Sequence, residues 1–511
     1  MTAPWRRPAI ICLAALTAGS VFAGCGAQPV ENYAPVRAFA ASLAQGRVIE
    51  LDAATAATAT TQYRALIRVI GVKPSVSLAG LAPGAAELHW SWPVPGGPWD
   101  YSTTLRLTSR AKGIWRPQWS LGVVIPGMTR DGRLLVAHPR GHRAPLLLAD
   151  GKPLGTLRLG GLANAIQQAD DHTLGGAPGT TITMIEPGQT PVTLVSFRPT
   201  NGHSLTLTIK RDWQQKAEAI VNQVGPQATL IAIRPSTGAI VASAGNYSAG
   251  QSDLATWAHS APGSTWKTVD SLALIRARHF TPNSIVTCPV HYTVLGFTFK
   301  NDMYYPPSAL GDIALKTAVA NSCNTAMVSQ HAHINYAEIK DAATTLGLTI
   351  DHNLGFPAFF GQLPAPANEF VKAEDMIGQG DVLVSPMAMA ADIATIERGA
   401  TVVPWMIRGL RPSVPANVRP LTATEDAYLK TIFHQVVVNG TASGLLGLPG
   451  GPIIAKTGTA EFIQNGQDLN HTWMIAAQGD LAVCVYFSVG NFGADTSGPL
   501  LRQFLAEVEP Q

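Results

Sequence analysis

The stretch Pro262-Gly263-Ser264-Thr265-Trp266-Lys267, set directly before the apolar run 269–275, constrains this chain more than any other part of it. The run has helical length, so the residues ahead of it open a helix. Residues three apart share a helix face, which puts the Lys267 amine one turn from the Ser264 hydroxyl and within its reach. At a helix N-terminus the backbone N–H of Ser264 has no intrahelical partner, and the helix dipole favours negative charge developing there. A nucleophile, its base and one oxyanion donor therefore come from a single turn. The spacing alone is a weak signal, because Ser109-Arg110-Ala111-Lys112 repeats it. That copy falls among strands, where residues three apart point to opposite faces.

Two later segments supply what the turn lacks. Ser322-Cys323-Asn324 comes first, and Lys456-Thr457-Gly458-Thr459 follows the strand-like Pro452-Ile453-Ile454-Ala455. Ser-x-x-Lys, Ser-x-Asn and Lys-Thr-Gly in this order are the signature set of the penicillin-recognising serine enzymes. From Leu205 to the C-terminus the chain resembles a class B penicillin-binding protein, a D,D-transpeptidase. The likeness extends to Gly378-Gln379-Gly380 ahead of Ser385-Pro386, to Asn439-Gly440-Thr441-Ala442, and to His471-Thr472-Trp473. No glycosyltransferase segment precedes these parts in the sequence, which sets the resemblance apart from the bifunctional class A enzymes.

The resemblance implies a role for each group. Ser264 attacks the carbonyl between the last two D-alanines of a peptidoglycan stem peptide, and a neutral Lys267 takes its proton. Burial and the positive Lys456 both push Lys267 toward the neutral form. Ser322 relays the proton to the leaving D-alanine, while Asn324 bonds the peptide amide and holds the lysine. The N–H groups of Ser264 and Thr459 form the oxyanion hole, where losing one donor typically costs ~10²–10³ in rate. Lys456, Thr457 and Thr459 receive the terminal carboxylate, and Gly458 lets substrate approach the strand closely. An amine from a second stem then completes the cross-link, and β-lactam antibiotics acylate the same serine. No metal or cofactor is implied. The same motifs leave open a D,D-carboxypeptidase or serine β-lactamase of this fold, and a catalytically idle β-lactam sensor or scaffold. Cys323 is expected as a small buried packing group rather than a reactive thiol, and His471 as structural rather than a base.

The rest of the chain bounds the setting. At 511 residues it should hold about three domains. Hydrophobic residues at 46% against charged residues at 14% argue for packed cores. A net charge of +3 with no lysine or arginine run excludes a nucleic-acid-binding footprint.

Residues 1–25 look like an export signal. Arg6 and Arg7 precede the apolar stretch 9–23, which is short for a spanning helix. The ending Ala23-Gly24-Cys25 resembles a lipoprotein signal that leaves Cys25 as the lipidated N-terminus. Phe22 departs from the leucine of that pattern, and an uncleaved signal anchor is the alternative. Either way the body lies outside the cytoplasmic membrane, tethered to it, and the family implies a membrane-embedded glycosyltransferase as partner.

Residues 26–130 are expected as an α+β domain. Val36, Phe39 and Leu43 mark a helix that Gly46 stops, and Leu88, Trp90 and Trp92 mark a strand, with more strands at 103–108 and 115–120. Trp115-Arg116-Pro117-Gln118-Trp119 after that pattern resembles the NTF2-like domain of methicillin-resistance-type penicillin-binding proteins. Residues 131–204, with Leu146-Leu147-Leu148 and the turn Ala149-Asp150-Gly151-Lys152-Pro153-Leu154, resemble a worn pedestal (dimerisation) domain.

Residues 205–511 then make the transpeptidase domain, an antiparallel sheet flanked by helices, opening with a strand at 205–209, a helix carrying Trp213, Ala217 and Ile220, and a hairpin of 228–233 with 239–244. The fold class is multidomain α+β. Cys288, Cys323 and Cys484 allow at most one internal disulfide, and which pair forms stays open.

Overall fold

The computed structural model describes residues 31–109, 113–225, 227–246 and 253–508. The export signal with Cys25 lies outside the described residues, as does most of the Ser109–Lys112 copy. The chain divides into two units. One runs to Pro139 and takes in Pro178–Pro199, and the other combines Arg140–Ala177 with the chain from Thr200 onward. The stretch 131–204, expected as one domain, is thus divided between them. Ile182 and Met184 belong to the first unit's core, whereas Leu146, Leu148, Leu162 and Ile166 belong to the second's. The short apolar runs in this loop-rich stretch have no period long enough to reveal which core each one serves.

In the first unit, helix Ala34–Ala44 buries Val36, Phe39 and Leu43, the stripe expected for it, and Gly46 at φ 74° follows it. A second helix, Ala53–Ile70, was not anticipated. Its signals were present: Asp52 accepts from Thr55 N at 3.0 Å as an N-cap, and Ala59, Tyr63, Leu66 and Ile70 form a buried stripe. Alanine and threonine elsewhere in that segment mask the period. Strands Ser75–Ala82, Ala85–Val94, Gly97–Ser109 and Trp115–Pro117 form one sheet in chain order. Two of the buried indoles find partners, as buried Trp N–H groups usually do: Trp90 Nε1 donates to Thr103 Oγ1 at 2.8 Å and Trp92 Nε1 to the Tyr101 hydroxyl at 2.9 Å. Strands Arg133–Ala137, Thr180–Ile185 and Val192–Phe197 make a separate three-stranded sheet.

The second unit is built on a five-stranded antiparallel sheet. Its order is Ile240–Gly245, Ala228–Ile233, Leu481–Gly490, Gln467–Gln478, Ile454–Gln464. The hairpin strands Ala228–Ile233 and Ile240–Gly245 are largely apolar without alternation because both faces are covered. Helices Arg211–Val221 and Gly498–Glu507 pack together on the sheet, and the almost wholly buried Pro386–Arg398 forms another layer against it. The strand expected at 205–209 is a ladder of only two residues, Leu205–Thr206, parallel to Leu146–Leu147. Leu207 bridges instead to Ile407.

The last strand, Ile454–Gln464, is the sheet's edge, and the head of the Lys267–Arg278 helix is set against it with almost no side chain between. A Cβ on Gly263 would stand 2.3 Å from the Thr459 carbonyl oxygen, and one on Gly458 would stand 2.7 Å from that of Pro262. Both contacts admit only glycine. No described helix is long and apolar enough to cross a membrane.

Candidate active site

Ser264 lies in a 3₁₀ turn, Gly263–Trp266, that leads into the α-helix Lys267–Arg278. The expected helical turn is therefore present in a tighter form. Ser264 is half-buried at the floor of a cleft, while Trp266 and Lys267 are wholly buried. The Lys267 amine reaches Ser264 Oγ at 3.0 Å, Ser322 Oγ at 3.1 Å, the Ser322 carbonyl at 2.9 Å and Asn324 Oδ1 at 2.8 Å. Burial pulls Lys267 down to about 7, against the opposing pull of Asp270. A neutral amine keeps a lone pair, and Ser264 Oγ is placed to give its proton to it.

Lys456, also wholly buried, donates to Ser322 Oγ at 3.0 Å and to the Thr457 carbonyl at 2.8 Å. Burial, and after it the charge of Lys267, lower Lys456 well below the usual lysine range. The repulsion anticipated between the two amines therefore acts on Lys456 and not, as expected, on Lys267, which is lowered by burial alone.

Ser322 sits between helices Leu315–Ala320 and Asn324–Val328 in the left-handed region, at φ 61°. For a residue with a Cβ that costs about 1–2 kcal/mol, so the surroundings must hold it. Two of them were not foreseen. Asn301 Oδ1 accepts from Asn324 N at 2.7 Å and Thr325 N at 3.1 Å, tying the start of the second helix to a distant loop. Cys323 forms a disulfide with Cys288, which lies 35 positions earlier. Cys323 is buried, as expected, but packs as half of a disulfide, and the bond resolves the open pairing, since Cys484 is left as a buried free thiol. Strand Ile285–Cys288 is paired with Gly311–Ala314, which runs directly into helix Leu315–Ala320, so the bond closes a short loop back onto its own sheet.

On the edge strand the Thr457 carbonyl turns away from the sheet to accept from Lys456, which sets the outward parity at Thr457 and Thr459. Thr457 Oγ1 meets Thr441 Oγ1 at 2.7 Å, and Gly493 N donates to Thr459 Oγ1 at 3.2 Å. The accessory segments converge on the same frame. Gly263 N donates to the Gly378 carbonyl at 2.9 Å, and Trp473 Nε1 donates to the Ala261 carbonyl at 3.0 Å. His471 stacks on Phe462 and bonds the Ser488 carbonyl, and burial lowers it.

Beneath the turn lies a group of buried carboxylates that sequence reading missed. Asp270, one helical turn past Lys267, is fully buried with neither oxygen hydrogen-bonded, and burial raises it well above the carboxylate range. Asp392 accepts from Thr268 Oγ1 at 2.7 Å and is raised by burial too. Burial pushes Asp375 up to about 7. Above the turn a cleft of about 820 Å³ is walled by Ser264, Ser322, Asn324, Thr457 and Thr459 on its polar side and by Phe297, Phe299, Tyr304 and Phe492 on its aromatic side. Tyr304 and Phe492 meet edge to face at 5.5 Å.

Comparisons with known proteins agree with this geometry. Residues 228–505, more than half of the chain, match the penicillin binding protein transpeptidase domain. The chain is 25% identical over 379 residues to peptidoglycan D,D-transpeptidase PbpA of Mycolicibacterium smegmatis, an alignment covering 63% of this chain and 73% of that protein. It is 27% identical over 236 residues to the PbpA of Mycobacterium tuberculosis, covering 42% of this chain and 46% of that one. The D,D-transpeptidase domain of a peptidoglycan glycosyltransferase from Eggerthella lenta superposes with a TM-score of 0.54 at 16% identity, over 72% of this chain and 98% of that one. Pseudomonas aeruginosa PBP2 in complex with WCK 5153 gives 0.57 at 18%, over 73% and 96%. These structural likenesses concern the fold.

Proposed function

The chain belongs to the penicillin-binding protein transpeptidase family, and from that premise we propose how its residues carry out the reaction. It is a class B, serine-type peptidoglycan D,D-transpeptidase that works through an acyl-enzyme and takes β-lactams as acylating agents. The observation that carries the reading is the buried Lys267 amine within 3.0 Å of the Ser264 hydroxyl.

In the proposed cycle Ser264 gives its proton to neutral Lys267 as Oγ attacks the carbonyl joining the two terminal D-alanines. The oxyanion is received by the N–H groups of Ser264 and Thr459. Ser322, touched by both amines, passes a proton to the departing D-alanine nitrogen. Asn324 holds Lys267 and meets the stem's amide. Lys456, whose proton burial loosens in the empty site, is favoured in its charged form by the substrate's terminal carboxylate beside it, with Thr457 and Thr459 as further donors. Gly458 leaves room for the stem against the edge strand. The amine of a second stem then attacks the ester and releases Ser264.

For the first unit the reading is an NTF2-like domain, supported by the helix pair followed by an antiparallel sheet with a tryptophan core. The segment from Arg140 to Ala177 with its Leu146–Leu147 ladder is proposed as the remnant of a pedestal. Anchoring through lipid on Cys25, catalysis outside the cytoplasmic membrane and work beside a membrane glycosyltransferase are proposed from the sequence likeness. Metabolic labelling with a fatty-acid analogue should mark the wild type and miss Cys25→Ala; an unlabelled wild type would favour the signal anchor.

The test of the main reading uses fluorescent penicillin on the purified protein. Ser264→Ala should take no covalent label while remaining folded. The wild type should hold its penicilloyl group for many minutes, with no response to bicarbonate, because a transpeptidase site keeps water inactive until an amine arrives. Multiple-turnover hydrolysis stimulated by bicarbonate and lost in Lys267→Ala would make this a lactamase instead.

A further inference from the structure

The opposite edge of the catalytic sheet carries a feature the reaction does not use. There the strand Ile240–Gly245 is bordered by the turn at Ala149, the segment 208–210 and the segment 405–411, and between them lies an open depression of about 500 Å³. Its rim is strongly one-signed: Lys210, Arg234, Arg408 and Arg411 all line it, and no acid does. Five strands in order separate it from the edge that faces Ser264, roughly 19 Å at ~4.8 Å per strand spacing.

Most of this charge is unmatched. Arg234 is paired with Asp480 at 2.7 Å, but among the described residues no carboxylate is in ion-pair contact with Lys210, Arg408 or Arg411. Lys210 instead lies over the Trp213 ring at 4.3 Å and Arg411 over Trp405 at 5.6 Å. Arg408 and Arg411 are fixed by one nitrogen each, on the Ala149 carbonyl at 3.2 Å and the Thr237 carbonyl at 2.9 Å, so most of each guanidinium fork is free to serve a ligand. Burial and, after it, the neighbouring Arg234 lower Lys210, with Asp212 and Asp480 opposing from outside ion-pair contact. A chain whose net charge is only +3 has concentrated three unpaired cations, drawn from distant segments, around one concavity.

We propose that this depression is a binding site for a phosphate-type oxyanion carrying two or more negative charges, separate from the catalytic cleft. Planar guanidinium forks suit tetrahedral phosphate oxygens in pairs, and Lys210, which lines the same depression, adds a point charge. The same chemistry is offered by a soluble phosphate or diphosphate ester and by a phosphate-bearing lipid headgroup, and the two are distinguished by the assay.

The experiment titrates the purified protein, produced without residues 1–25, with inorganic pyrophosphate by calorimetry. In parallel it is floated with phosphatidylcholine vesicles, with and without phosphatidic acid. Saturable pyrophosphate binding that Arg408→Gln/Arg411→Gln weakens at least about tenfold would establish a soluble ligand. Flotation only with phosphatidic acid, lost in the same variant, would establish a headgroup. Penicillin acylation of Ser264 should be unchanged in the variant, which reports its folding. Because both arginines hold backbone carbonyls, Lys210→Gln serves as the second variant and should weaken binding several-fold. Protection of Arg408 and Arg411 from phenylglyoxal by pyrophosphate, read by mass spectrometry, tests the wild type directly. Absence of saturable binding to either probe, or binding indifferent to all three substitutions, overturns the proposal.

Discussion

Lys456 donates to the Ser322 hydroxyl at 3.0 Å across 134 positions of sequence, and the same oxygen lies 3.1 Å from Lys267. One hydroxyl thus links the amine beside the nucleophile to the amine beside the carboxylate subsite. Ser322→Ala should cut the second-order rate of penicillin acylation by about 10²-fold, in the range of a lost proton relay, while the unfolding midpoint stays near that of the wild type. An acylation rate within a factor of two of the wild type would remove Ser322 from the relay.

The state of Lys267 sets a pH limb. Only its unprotonated form accepts the Ser264 proton, and burial brings it down to about 7. Acylation should therefore rise with pH through a midpoint near 7 and level off above it. A profile flat from pH 5.5 to 8.5 would show that another group is the base.

Asp375 makes a prediction about stability. Burial raises it from 3.8 to about 7, so the folded state holds a proton that the unfolded chain has lost between those values. Its contribution is fully present below about pH 4 and is lost as pH rises through 7. Asp375→Asn keeps an acceptor for Asp381 N, now at 3.0 Å, but abolishes the titration. The variant should gain on the wild type by on the order of 1–3 kcal/mol between pH 5 and pH 8. Urea melts giving the same difference at both pH values would refute this.

The Cys288–Cys323 bond ties Ser322 and Asn324 to a strand outside the motif. Cys288→Ala should lower stability by about 2–4 kcal/mol and slow acylation, because Ser322 must hold a left-handed backbone without its brace. Addition of reductant should slow the wild type in the same way and leave the variant unaffected. Equal acylation rates for both proteins, with and without reductant, would reduce the bond to a purely structural role.

What could be read from the chain, and what could not, follows the range of the signal. Ser264 and Lys267 are one turn apart, so a helical period suffices to bring them together, and the Leu88, Trp90, Trp92 alternation likewise declares its own strand. Asn301 and Cys288 reach the site from distant segments, and nothing local to them says where they will land. Asp270 was hidden for another reason. Polar residues inside an apolar run are ordinarily placed on its solvent face, whereas this helix is buried on all sides for most of its length. The division of 131–204 between two cores is a matter of which apolar residue meets which, and no period encodes that.

The nucleophile's position is fixed by main chain meeting main chain. Besides Gly263 and Gly458, a Cβ on Gly378 would stand 2.2 Å from the Gly263 oxygen, and one on Gly493 would stand 2.4 Å from the Gly458 oxygen. Four segments from across the unit are thus stacked without side chains, like sheets in a bound book whose spine lies under Ser264. Such a frame divides variation into two kinds. The aromatic and polar side chains facing the cleft can be exchanged, and substrate preference or antibiotic fit altered, with the nucleophile left where it is. Any side chain added in the frame itself moves the nucleophile and every ligand that depends on it at once.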